Sequence, residues 1–126
     1  MGISFTDREL DVMGVLWERG SGTVSEVRDA LHDELAYTTV LTILRTLEEK
    51  EYVTHVAEGR AHRYVPAVSQ EVAGGSALVR LLDKVFAGSP EMLFTQLVSE
   101  RNLDPKTLRR IRKMLDDHLA ARTRRT

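Results

Sequence analysis

A stripe of short hydroxyl side chains and one arginine recurs at helical spacing in AYTTVLTILRTLEEKEY, residues 36–52. Thr38, Thr42 and Arg45 would share one face of a helix, with Thr39 and Thr46 on either side. A threonine hydroxyl can hydrogen-bond a base edge or a phosphate, its methyl group can contact thymine, and arginine can bond guanine or phosphate. These residue types indicate a face that docks on DNA, but the solvated face of a purely structural helix is an open alternative.

The charge distribution favours docking on an anion at this face. Residues 1–68 carry 7 basic and 12 acidic side chains, and residues 69–126 carry 11 and 7, so the halves have net charges of −5 and +4. No acidic residue falls between Glu34 and Glu48, which leaves the threonine segment free of repelling carboxylates. The basic run from Lys106 to Arg125 alternates with apolar residues, and we interpret it as cationic stems flanking an apolar seam, with direct contact to DNA as the alternative.

Three short helices are predicted to position the threonine face. Thr6 and Glu9 have capping-box spacing and Gly20 is a typical helix stop, while Thr23 and Glu26 repeat the box at a second helix. The third helix has apolar residues at i, i+3, i+4 and i+7, namely Val40, Ile43, Leu44 and Leu47. Three helices joined by short turns indicate a helix-turn-helix core.

A β-hairpin is predicted after the third helix, in VTHVAEGRAHRYVP. Its strands are expected at Tyr52 to Ala57 and Ala61 to Val65, reversing at residues 58–60 and stopped by Pro66. Three helices followed by a hairpin make a winged helix, whose third helix enters the major groove while the hairpin lies over the DNA backbone. The wing residues expected to contact phosphates are Arg60, His62 and Arg63. Taken alone, Arg60 is equally compatible with a solvated turn.

Residues 69–126 hold three further amphipathic helices, too few to close a good core alone. A second copy of the chain is the simplest partner, because most soluble oligomers are two-fold homodimers. The expected dimerisation residues are Leu78, Leu81, Leu82, Val85, Phe86, Leu93, Leu97, Leu108, Ile111 and Leu115.

Several function classes are disfavoured by what the sequence lacks. Without cysteine, disulfide scaffolds, thiol nucleophiles and cysteine zinc sites are excluded, and no catalytic or phosphate-loop motif is present. His55 and His62 would face each other across a hairpin turning at Glu58 and Gly59, but zinc needs three or four ligands. We therefore expect no enzyme activity, metal or cofactor. The absence of a leader and of a roughly 18-residue apolar run predicts a cytoplasmic protein without membrane insertion.

The block AYTTVLTILRTLEEK, followed by RAHRYVP, resembles the BlaI/MecI family of penicillinase repressors, and the likeness extends from TDRELDVMGVLW to LDPKTLRRIRKML. The resemblance implies a winged-helix transcriptional repressor that binds an inverted-repeat operator as a homodimer through its C-terminal helices and controls β-lactam-response genes. By that resemblance the recognition helix uses Thr38, Thr39, Thr42 and Arg45, and the wing uses Arg60 and Arg63. We add Tyr37, which begins the helix, and His62.

Three departures limit what the resemblance carries over. Family members are cleaved at an Asn-Phe pair after a membrane sensor protease detects a β-lactam, and Gln96 and Leu97 stand there in this chain. Lys50 and Glu51 replace a common Lys-Gly pair, so the third helix must end without a C′ glycine. Copper-responsive relatives use a cysteine hook that this chain lacks.

We therefore predict a mainly α protein with an N-terminal winged helix-turn-helix in residues 1–68 and a three-helix dimerisation region in residues 69–126. Its predicted function is transcription regulation as a dimeric repressor bound to a double-stranded DNA operator. The alternative is a winged-helix protein-interaction module without direct DNA readout. Binding of a duplex at varied salt separates the two, because counterion release makes DNA affinity fall steeply with salt.

Overall fold

The computed structural model describes residues 2–125, and the mainly α fold is confirmed. The helices within that range are α1 (Asp7–Arg19), α2 (Val24–Ala30), α3 (Tyr37–Glu49), α4 (Gln70–Val85), α5 (Pro90–Arg101) and α6 (Pro105–Arg125). The strands are β1 (Gly22–Thr23), β2 (Val53–Glu58) and β3 (Ala61–Pro66). The chain divides into two compact units, the first ending at Arg80 and the second beginning at Leu81, so α4 contributes to both.

Both predicted capping boxes are present. The Glu9 amide donates to Thr6 Oγ1 over 3.1 Å, and the Thr6 amide donates to Glu9 Oε1 over 2.8 Å. At α2 the corresponding distances between Glu26 and Thr23 are 3.3 and 3.1 Å. Each pair satisfies two amides that the first turn of a helix leaves without intrahelical partners, which is why the local sequence determines where α1 and α2 begin.

The sheet corrects three details of the predicted hairpin. Its strand order is β1-β3-β2, and the two-residue β1, which the sequence did not predict, pairs antiparallel with β3. The hairpin turns at Gly59 and Arg60 alone, since Glu58 and Ala61 are paired and Gly59 has a φ of 60°. Pro66 is the last residue of β3, opposite Val53, so the strand includes it.

The hydrophobic core of the first unit lies between its three helices and the sheet. Its buried side chains are Val12, Met13, Leu16, Val24, Val27, Val40, Leu44, Leu47, Val53 and Tyr64. Helices α1 to α3 supply all but the last two, in agreement with their predicted apolar spacing. The core therefore fixes which side of α3 faces outward.

Aromatic side chains tie the start of the chain to α1 and to the segment before α4. Phe5 meets Trp17 edge-on at 6.2 Å between ring centroids and lies 4.7 Å from the ring of Tyr52. The indole Nε1–H of Trp17 donates to the carbonyl oxygen of Val68 over 2.9 Å. This bond joins α1 to the residues that lead from the wing into α4.

Helix α3 ends in a Schellman motif with glutamate at the usual glycine position. The Tyr52 amide donates to the Leu47 carbonyl over 2.9 Å, and the Glu51 amide donates to the Glu48 carbonyl over 2.9 Å. Glu51 has a φ of 68°, in the left-handed region that glycine adopts at little cost. The predicted end without a C′ glycine is confirmed.

The second unit has little interior of its own. Neither α5 nor α6 contains a buried residue within the described chain. The predicted N-caps of both helices are present, with the Met92 amide donating to Ser89 Oγ over 3.2 Å and the Thr107 amide donating to Asp104 Oδ1 over 2.8 Å. No helix in residues 2–125 combines the length and the apolar character needed to span a membrane.

Candidate nucleic-acid interface

Helix α3 has one fully buried face and one open face. Val40, Leu44 and Leu47 have no exposed surface. The opposite face is exposed and carries the predicted residues Thr38, Thr39, Thr42 and Arg45, while Thr46 is half-buried. The structure thus brings the four predicted residues together on one surface, which we call the threonine face.

One hydroxyl of the threonine face is already partly engaged. Thr42 Oγ1 donates to the carbonyl oxygen of Thr38 over 2.9 Å, within the helix. This bond uses the only hydroxyl proton of Thr42 but leaves a lone pair on its oxygen. In this state Thr42 can accept a hydrogen bond from a ligand and present its methyl group, but it cannot donate.

An arginine from α2 adjoins the threonine face, although no local sequence pattern predicts this contact. The guanidinium carbon of Arg28 lies 6.0 Å from the ring centroid of Tyr37, within cation–π range. Tyr37 is 44% exposed. Arg28, whose Nε also lies 3.5 Å from Asp29 Oδ1, thus places its guanidinium beside the predicted residue Tyr37 at the first turn of α3.

The amides at the start of α3 have no side-chain cap. Ala36 occupies the N-cap position and cannot accept a hydrogen bond through its side chain, and the first turn contains no acidic residue. Helices α1 and α2 of the same unit both have complete capping boxes. The positive end of the α3 dipole is therefore left open next to the threonine face.

The two predicted wing arginines differ in their surroundings. Arg60 lies exposed in the turn and has no ion-pair or hydrogen-bond partner among residues 2–125. The side chain of Arg63 is only 25% exposed and lies 2.9 Å from carboxylate oxygens of both Glu26 and Glu58. Hydrogen bonds from Arg63 lower the pKa values of Glu26 and Glu58 below their ordinary range.

The histidines of the hairpin meet diagonally. Because the turn is Gly59–Arg60, the residue opposite His55 is Tyr64 and the residue opposite His62 is Ala57. The His55 and His62 rings nevertheless stack at 4.1 Å with 11° between their planes, and His55 Nδ1 lies 2.5 Å from Glu48 Oε2. The described residues contain no group of three potential metal ligands.

The predicted dimerisation residues are distributed over α4, α5 and α6, except for Phe86, which directly follows α4. Five are half-buried, namely Leu82, Phe86, Leu93, Leu108 and Ile111. Five are exposed, namely Leu78, Leu81, Val85, Leu97 and Leu115. The Gln96–Leu97 bond lies inside α5, where Gln96 Nε2 donates to Glu100 Oε1 over 2.8 Å.

Comparison with known sequences covers nearly the whole chain. The model of the penicillinase repressor family matches residues 5–117. The chain is 35% identical over 102 residues to the transcriptional regulator BlaI of Mycobacterium tuberculosis, covering 78% of this chain and 74% of that protein. It is 25% identical over 119 residues to the penicillinase repressor of Bacillus licheniformis, covering 90% of each.

Solved structures agree with this similarity. The DNA binding domain of the repressor BlaI superposes with a TM-score of 0.50 at 31% identity, covering 56% of this chain and 90% of that domain. A mutant of MarR from E. coli superposes with a TM-score of 0.53 at 15% identity, covering 92% of this chain and 79% of MarR. At 15% identity the match to MarR shows only that the fold is similar.

Proposed function

This chain belongs to the penicillinase repressor family, and from that membership we propose that it represses transcription by binding a double-stranded DNA operator. The family consists of repressors, in agreement with the prediction that the chain is not an enzyme. In the proposed complex α3 lies in the major groove and the hairpin lies over the backbone.

The observation that carries the proposal is the contrast between the two faces of α3. The buried side chains hold the helix in the core, while the threonine face has short, uncharged side chains and a single arginine. Such side chains let a helix approach the floor of a groove closely. Arg45 is the proposed donor to guanine or phosphate, and Thr38, Thr39 and Thr42 are the proposed partners of base edges, thymine methyl groups and phosphates.

Backbone phosphates are proposed to meet three groups around that face. The first is the uncapped start of α3, where amides and the helix dipole favour an anion. The second is the exposed guanidinium of Arg60 at the wing tip. The third comprises Tyr37 at the start of α3, which lies beside Arg28, and His62 on the wing strand β3. These contacts would set the register of α3 in the groove.

Two copies of the chain are proposed to bind an inverted repeat. The second unit leaves large apolar side chains exposed, and neither α5 nor α6 has a buried residue in the described range. A partner copy would supply the missing interior, with residues 69–126 as the dimerisation region. Two-fold symmetry would then place two α3 helices on successive major-groove turns.

The proposed location is the cytoplasm, where a repressor reaches chromosomal DNA, and β-lactam-response genes are the proposed targets. We do not propose that a membrane sensor protease cleaves this chain. Gln96 and Leu97 replace the Asn-Phe pair, and the bond between them lies in a regular helix. Induction through a membrane partner would therefore need a different signal.

The test is the effect of Arg45→Ala on binding to a labelled duplex of roughly 30 base pairs, three helical turns, selected from a random pool by the wild-type protein. We expect at least about a tenfold loss of affinity, equivalent to about 1.4 kcal/mol, with an unchanged melting temperature. Arg101→Ala, which removes the same charge from the end of α5, is the matched control and should bind like wild type.

Two outcomes would count against DNA readout by the threonine face. The first is an Arg45→Ala variant that binds as tightly as the Arg101→Ala variant. The second is wild-type affinity that stays constant as salt is raised, since DNA binding weakens steeply with salt. That second outcome would favour a protein-interaction module that docks another protein on the same face.

A further inference from the structure

The guanidinium of Arg63 has no N–H left for a phosphate. Its Nε and Nη2 donate to Glu58 over 2.9 Å each, and its Nη1 and Nη2 donate to Glu26 over 2.9 and 3.1 Å. Nη1 also donates to Ser21 Oγ over 3.2 Å. A guanidinium has five N–H donors in a fixed planar fork, and all five are used. Arg60, three residues earlier, has none of its donors used within the described chain.

The two carboxylates that hold Arg63 belong to different parts of the winged helix. Glu58 is the last residue of β2, directly before the wing turn. Glu26 lies in the first turn of α2, where the same side chain accepts from the Thr23 amide in the capping box. Arg63 itself lies on the central strand, β3, opposite Thr23 of β1. One side chain thus connects the wing tip to the start of α2.

The local charge also argues against a phosphate at Arg63. Glu26 and Glu58 neutralise Arg63 and also Arg19, whose Nη2 lies 3.7 Å from Glu26 Oε1, so the group as a whole offers no net positive charge to a phosphate. Hydrogen bonding to Glu58 and Glu26 raises the pKa of Arg63 above its ordinary value and holds both partners ionised. A phosphate that approached this group would have to displace carboxylate partners that are already aligned with the guanidinium.

We propose that Arg63, with Glu26 and Glu58, is a positioning residue that fixes the wing against α2, and that Arg60 alone of these two arginines contacts DNA phosphates. The inference rests on the proposed function and assigns the two wing arginines different tasks within it. Arg63 acts on affinity by holding the turn that presents Arg60. It makes no contact with DNA itself.

The first test compares salt dependence of binding for Arg63→Gln and Arg60→Gln, using the selected duplex. A lost phosphate contact reduces the slope of log affinity against log salt by about 1 for each protomer bound. We expect Arg60→Gln to show that reduction. Arg63→Gln should weaken binding by roughly fivefold while keeping the wild-type slope. The substitution loosens the wing turn but removes no contact between the protein and a phosphate.

The second test uses Glu58, where loss of charge repulsion and loss of wing positioning would change DNA affinity in opposite directions. Removing a carboxylate from a DNA-binding surface should tighten binding if electrostatic repulsion is its only role. We expect Glu58→Gln to weaken binding instead, because it releases the wing turn. The matched control is Glu49→Gln at the end of α3, where the carboxylate has no ion-pair partner in the described chain and its loss should leave binding equal or tighter.

Arg63→Lys completes the set. Lysine keeps the charge but cannot hold two carboxylates in a planar fork, so we expect it to weaken binding as Arg63→Gln does. A phosphate contact would be largely preserved by lysine. Circular dichroism and melting temperature check that every variant is folded. If the Arg63 variants unfold, the DNA affinity of Glu58→Gln is the measurement that tests the positioning role.

The proposal is overturned if Arg63→Gln lowers the salt slope as Arg60→Gln does, if Arg63→Lys binds like wild type, or if Glu58→Gln tightens binding. These results differ from a failure of the proposed function. In that case the wild-type protein would select no duplex, and no slope would be measurable for any variant.

Discussion

Glu9 is the one charged residue of the described chain that is buried, with 4% of its surface exposed. Burial raises the pKa of its carboxyl, but hydrogen bonds from the Thr6 amide and from Lys50 outweigh burial and leave the pKa below its ordinary value. Lys50 Nζ lies 2.9 Å from Glu9 Oε1 and follows directly after α3. A single carboxylate therefore caps α1 and anchors the end of α3.

Glu9→Gln should lower the free energy of unfolding by about 1–3 kcal/mol at pH 7, because a buried amide replaces a carboxylate that accepts two hydrogen bonds. Urea denaturation measures the change. Glu18→Gln, on an exposed part of the same helix, is the control and should change stability by less than about 0.5 kcal/mol.

The stabilisation that Glu9 provides relative to Glu9→Gln should decrease as the pH is lowered. The folded-state pKa of Glu9 is depressed, so its stabilisation is fully present above the ordinary value of 4.5 and is lost as the pH falls through the folded pKa. The difference in free energy of unfolding between wild type and Glu9→Gln should therefore become smaller below pH 4.5. A gap that stays constant down to acid unfolding would contradict the role assigned to the carboxylate.

Among the elements, α3 differs from α1 and α2 in having no capping side chain. Ala36 already has the extended backbone of an N-cap residue, with φ −66° and ψ 150°. Serine in that conformation can accept an amide hydrogen bond from the first turn. The natural residue thus leaves the helix less stable and its amides accessible, which is consistent with the proposed phosphate contact.

Ala36→Ser should raise the free energy of unfolding by about 1 kcal/mol and weaken binding to the selected duplex, because the hydroxyl competes with phosphate for the same amides. Denaturation and fluorescence anisotropy measure the two effects. Ala36→Gly, which offers no side-chain acceptor, is the control. Tighter DNA binding by the serine variant would contradict a role for these amides.

The other end of α3 permits a stabilising change. Glu51→Gly should raise the free energy of unfolding by about 0.5–1 kcal/mol, since glycine removes the left-handed strain and only part of the gain is offset by unfolded-chain entropy. Glu49→Gly, at the last residue of the helix, should lower it, because glycine is a poor helix former. Thermal unfolding of the two variants should move in opposite directions, and a shared direction would contradict the motif.

At the scale of the whole molecule, the second unit is the part least able to form a stable fold by itself. Its helical segments leave Val85, Met114, Leu115 and Leu119 more than half exposed. Hydrophobic surface of this extent on a small unit is typical of an interface. Stability and dimerisation of the protein are therefore expected to be linked, with a concentration-dependent melting temperature.

Polar substitution of Leu78, Leu82, Leu108 and Leu115 should convert the proposed dimer to a monomer in sedimentation experiments and weaken operator binding with it. Loss of buried apolar area at the interface is the physical reason. Val56→Gln, at an exposed apolar residue of the wing, is the control and should sediment like wild type. A dimer that persists in all four leucine variants would contradict the assigned interface.

The sequence predicted what depends on nearby residues. Capping boxes at three-residue spacing, the apolar stripe of α3 and the Ser89 cap are local patterns, and the structure contains each of them. The Arg63–Glu26 bonds join residues 37 positions apart, and no local pattern encodes that distance. Strand β1 is too short to have a period, and its pairing depends on where β3 is placed by the core.

Trp17 is the only tryptophan in the chain, and its indole is hydrogen-bonded to the residue through which the wing leads into α4. Its emission therefore originates where the wing leads into α4, without any added dye. A change in this emission as duplex is titrated in would report a change in the surroundings of Trp17.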